Sequence, residues 1–114
     1  MFKAVHYMDV PREEVEEEGA KGTWVRWLIS REDGAENFAM RFFEINPGGY
    51  TPRHTHDWEH EVFVLSGEGI VFCDGQERRI SRGYVVFIPP GSEHYFKNTG
   101  DEKMTFLCLI PYKK

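Results

Sequence analysis

The sequence predicts an all-β single domain, a jelly-roll barrel with at most one short helical turn near its N-terminus. Three observations carry this. Aromatic residues are abundant, with nine Phe, five Tyr and three Trp, and such side chains suit half-buried pleated surfaces. Beyond residue 20, apolar residues alternate with polar ones in short runs, the two-residue period of strands. Eleven Gly and six Pro interrupt those runs, the pattern of short strands and tight turns in a sandwich or barrel. At 114 residues the chain has the length of one domain and can bury a core without disulfide or metal staples.

The elements follow in order. Residues 9–19 read as a helical turn, with Asp9 as cap, Pro11 near its start and Gly19 at its end. The acidic run Glu13, Glu14, Glu16, Glu17 and Glu18 reads as a solvated loop or short helix. Residues 23–30 form the first long strand, Asp33-Gly34 signals a turn, and residues 38–45 return as the second strand. Asn46-Pro47-Gly48-Gly49 is a strong breaker. Residues 60–65 are a strand, which Ser66-Gly67-Glu68-Gly69 turns into residues 70–73, and Asp74-Gly75 makes a hairpin back through residues 78–80. Residues 84–88, 94–97 and 103–110 complete the set, with Pro89-Pro90-Gly91 as a turn and Pro111 as a stop.

Composition removes several function classes. The formal charge is -5, and no basic stripe offers a footprint for nucleic acid. No apolar run approaches the ~20 residues that span a bilayer, and the N-terminus lacks the apolar stretch of a signal peptide. Cys73 and Cys108 do not resemble a secreted disulfide framework. The expectation is a cytoplasmic protein with two free thiols and neither nucleic acid nor membrane as partner.

Four of the five histidines fall in two short segments. Residues two apart on an extended chain share a face, so His54 and His56 project together, and His60 has the same parity. Imidazole is a common metal ligand, and such a group makes a chelate. The string His56-Asp57-Trp58-Glu59-His60 also has the i, i+4 histidine spacing of a zinc-protease helix. That motif needs Glu directly after the first His, where Asp57 stands, and Val62-Phe63-Val64 continues as strand, so the helix is rejected.

The two segments resemble the two motifs of the cupin superfamily. Gly48, His54, His56 and Gly67 match the first motif at residues 48–67, with His60 where the family usually has Glu. Gly83, Pro89, Gly91, His94 and Asn98 match the second at residues 83–98. The resemblance implies a single cupin domain over residues 1–114 with one mononuclear metal ion on His54, His56, His60 and His94, as in small bacterial cupins with an all-histidine manganese site. It also implies a homodimer, for which the strand around Trp24 and Trp27 could supply a self-complementary patch.

Imidazole donors alone favour iron, nickel, copper or zinc, while the resemblance points to Mn(II) first and Fe(II) second. Phe38, Met40 and Phe42 share one strand parity, as do Phe106, Cys108 and Ile110; either set could line the barrel interior, or simply pack in the core. Trp58 could cover the site mouth or anchor a loop. No catalytic residue is assigned. The leading expectation is a dioxygenase-like oxidoreductase on a small organic substrate. The alternatives are a non-redox isomerase or lyase, which would need a carboxylate or Lys in the pocket as base, and a non-catalytic small-molecule binding module.

Overall fold

The computed structural model describes residues 2–112. Nine strands form one antiparallel sheet that curls on itself: β1 Glu13–Glu14, β2 Lys21–Ile29, β3 Phe38–Tyr50, β4 His60–Ser66, β5 Glu68–Cys73, β6 Gln76–Ser81, β7 Val85–Ile88, β8 His94–Asn98 and β9 Met104–Pro111. The order is β6-β5-β8-β3-β9-β4-β7, with β2 added to β3 and β1 to β2. The all-β expectation therefore holds. Ile45, Val64, Ile88, Met104 and Phe106 are almost wholly buried and belong to the cluster that fills the barrel.

The Asp74-Gly75 turn is as expected. Both residues have positive φ, 49° and 80°, which suits a two-residue hairpin between twisted strands, here β5 and β6.

Three local expectations are corrected. Residues 10–19 are not helical: the short helical turns are 3-10, at Tyr7–Asp9 and Arg31–Asp33, and Glu13 and Glu14 pair with Val25 and Trp24. Glutamates three and four apart repel on a helix, whereas the extended segment gains sheet hydrogen bonds and stacks Arg12 4.2 Å over Trp24. Asn46-Pro47-Gly48-Gly49 does not end its strand. The β2–β3 register jumps from Thr23↔Ile45 to Lys21↔Tyr50, so these residues form a bulge within β3. Beyond it, Tyr50 reaches Lys97 of β8, while residues before it pair with β9. Finally, Gly67 does not close a hairpin. β4 pairs with β7 and β9, and β5 with β6 and β8, so Gly67 carries the chain from one arm of the sheet to the other.

At the patch expected around Trp24 and Trp27, Trp27 is exposed and Trp24 is partly buried. Trp24 lies under Arg12, and Trp27 lines the internal cavity. Large exposed apolar residues also lie on β4 and β7, at Phe63, Val85 and Phe87.

Candidate metal centre

The two histidine segments are joined by backbone. His54 and His94 form an isolated antiparallel bridge, with N–H to O distances of 3.3 and 3.1 Å. His60 opens β4 and His94 opens β8. The stretch between β3 and β4 bends at Asp57 and Trp58, so this bend, rather than strand parity alone, delivers His60.

All four rings meet. Centroid separations are 4.2 Å for His54–His56, 5.6 Å for His54–His94, 5.3 Å for His56–His60 and 4.6 Å for His60–His94. One ring nitrogen from each of His54, His56 and His94 lies within 4.8 Å of the others. His60 stands deeper, 5% exposed, and its Nδ1 is buried with no hydrogen-bond partner.

The surroundings set the ring chemistry. His94 Nδ1 lies 2.9 Å from the Ser92 carbonyl, an acceptor, so this nitrogen carries the proton and leaves Nε2 with its lone pair. His54 Nδ1 lies 2.9 Å from Glu17 Oε2 and by the same logic donates to the carboxylate. Trp58 stacks on His56 at 4.3 Å and 10° between planes. Burial, with neighbouring rings and Arg41, pushes His56 down to about 4 and His60 to about 3; burial also lowers His94. Rings with free lone pairs are what a metal requires; His54, His56 and His94 bring three ring nitrogens within 4.8 Å of one another, and the unpartnered Nδ1 of His60 lies deeper, outside that group. The residues fit a divalent ion.

The rings form one wall of a cavity of about 200 Å³, whose other walls include Val25, Trp27, Phe43, Phe96 and Phe106. Phe106 and Cys108 are among its lining residues. Phe38, Met40 and Phe42 do not. Phe38 is 58% exposed, and Phe42 packs 4.8 Å from Tyr7 on the outer face. The inward parity of β3 belongs to Arg41 and Phe43. Both faces of β3 are covered, one by the barrel and one by the N-terminal segment, so apolar content could not distinguish them.

Two polar groups of the cavity escaped sequence reasoning. Glu17 is exposed, as a solvated acidic run predicts, yet its carboxylate reaches His54. Arg41 sits at an inward position between Ala39 and Phe43, and a charge in register with buried residues was the available signal.

Residues 41–110 match the family described as the cupin domain. The chain is a cupin. It is similar to the solved structure of the polyketide cyclase RemF from Streptomyces resistomycificus, with 40% identity over 99% of this chain and 81% of that one, and a TM-score of 0.92. An oxalate-binding protein from Thermotoga maritima is 30% identical over 81% of this cupin and 78% of its own length. A 1-methylthio-D-xylulose 5-phosphate methylsulfurylase from Rhodospirillum rubrum is 32% identical over 62% of this chain, which spans 46% of that relative's length. No helix among the described residues is long and apolar enough to cross a membrane.

Proposed function

We propose that this cupin is a metal-dependent, non-redox enzyme that closes or rearranges carbon skeletons rich in carbonyl groups, as its similarity to a polyketide cyclase suggests. The observation that carries this is Glu17. A non-redox reaction needs a carboxylate or amine in the pocket, and Glu17 supplies one beside the histidines. A divalent ion on His54, His56, His60 and His94 supplies Lewis-acid polarisation of a substrate oxygen when bound. The chain's own residues do the rest. Trp27, Phe43, Phe96 and Phe106 hold an unsaturated substrate against the histidine wall and exclude water from it. The Glu17 carboxylate lines the cavity, holds His54 Nδ1 with one oxygen and leaves the other to accept a substrate proton.

The dioxygenase-like reading stands second. Four neutral imidazoles are also donors that iron accepts, and Mn(II) remains the first expectation for the ion, Fe(II) the second, with zinc, nickel and copper after them. A homodimer joined through Phe63, Val85 and Phe87 and a cytoplasmic location complete the proposal. A monomeric mass by light scattering would remove the dimer.

The test is elemental mass spectrometry of tag-free wild type and His60→Ala, with product analysis and an oxygen electrode on poly-β-carbonyl substrates. About one metal per chain, weakened in the variant, together with turnover without oxygen uptake, supports the reading. Turnover that consumes oxygen moves the enzyme to the second reading. A metal-free wild type removes both.

A further inference from the structure

Arg41 is the only cation among the described residues lining the cavity. Its guanidinium lies 4.9 Å from the Phe43 ring centroid and 5.5 Å from that of Trp27. Its Nη2 is 3.1 Å from Cys108 Sγ. Its Nε is buried and has no hydrogen-bond partner. Among the described residues, no carboxylate comes within ion-pair distance of it. Cys108 does not neutralise it, because burial pushes that thiol upward and keeps it protonated.

Arg41 is partly buried; two aromatic faces hold its guanidinium by cation–π contact, while no carboxylate among the described residues pairs with it. A guanidinium presents a planar fork that matches a pair of oxygens sharing one negative charge. The four histidines offer it no anion.

We propose that Arg41 is an anion-binding residue and that the substrate of this cupin carries an organic oxyanion, a carboxylate or the enolate of a 1,3-dicarbonyl, in the cavity beside the histidines. The inference rests on the reading of this cavity as the substrate site. Size limits the group as well. An apolar cavity of about 150 Å³ accommodates benzene, so about 200 Å³ takes one ring-sized piece bearing the anion.

The probes are benzoate, its neutral isostere benzamide, and acetylacetonate. Each is titrated by calorimetry into the protein as purified, for wild type, Arg41→Gln and Arg41→Lys, with metal content measured on the same samples. Arg41→Gln is expected to weaken benzoate or acetylacetonate about tenfold or more, to leave benzamide unchanged, and to be partly rescued by Arg41→Lys. Dependence with benzoate alone makes the group a carboxylate, and with acetylacetonate alone an enolate. Unchanged affinity for both anions, or an equal loss for benzamide, overturns the proposal. If neither variant folds, a crystal structure of wild type with benzoate decides: the carboxylate on the guanidinium supports the assignment, and a carboxylate turned away overturns it. Absence of metal from all samples counts against the proposed enzyme, while the Arg41 dependence is read independently.

Discussion

Glu17 Oε2 lies 2.9 Å from His54 Nδ1, joining the N-terminal acidic segment to the histidine cluster across 37 residues of chain. The contact holds His54 with Nδ1 donating and Nε2 left with its lone pair; a carboxylate behind an imidazole raises the ring's donor strength.

Glu17→Gln therefore weakens metal binding. A loss of about 10- to 100-fold is expected, read by competition with a chromogenic chelator. Glu14→Gln, on the same segment but outside the cavity, leaves affinity unchanged. Equal affinities for wild type and Glu17→Gln would detach the N-terminal segment from the site.

The histidines also make metal-free protein sensitive to acid. His56 and His60 have folded values of about 4 and about 3, against about 6.5 for a free imidazole. Between those limits the unfolded chain binds protons that the folded chain refuses, so stability rises with pH there. Their full contribution is present above pH ~6.5 and is lost as pH falls toward about 4 and then about 3. Thermal melts of chelator-treated protein at stepped pH should show this slope. His60→Gln should flatten it, and an unchanged slope would mean that His60 titrates normally.

Asn98 is the structural pin of the second histidine segment. It is wholly buried, donates to the carbonyls of Ile45 and Glu102 at 2.8 and 2.7 Å, and accepts from the Gly100 N–H at 2.9 Å. Asn98→Ala leaves these groups unpaired and should cost about 3 kcal/mol in urea unfolding. A cost under about 0.5 kcal/mol would show that water replaces the side chain.

Gly67 and Gly75 form a paired test of backbone and space. Both have positive φ, 79° and 80°, which costs a side-chain-bearing residue about 1 kcal/mol. A Cβ on Gly67 would lie 2.7 Å from both the Lys103 carbonyl oxygen and the Met104 Cα, whereas one on Gly75 meets nothing within 4 Å. Gly67→Ala should destabilise by about 1–3 kcal/mol more than Gly75→Ala. Equal effects in parallel denaturation curves would mean that the crossover from β4 to β5 relaxes freely.

The sequence by itself determined the features written in local chemistry. Alternating aromatic and β-branched residues specified the strands, Asp74-Gly75 specified a two-residue hairpin, and the spacing around His54, His56 and His94 marked the site segments, because each signal lies within a few consecutive residues. Tertiary structure decided what depends on contacts between distant elements. It straightened the acidic segment against β2, since sheet pairing outweighed the expected helical turn. It covered both faces of β3, so that Arg41 and Phe43 rather than Phe38, Met40 and Phe42 turn toward the histidines. It brought Glu17 to His54. Strand parity predicts that alternate residues share a face, but which face meets the cavity depends on how the sheet curls and on what packs outside it.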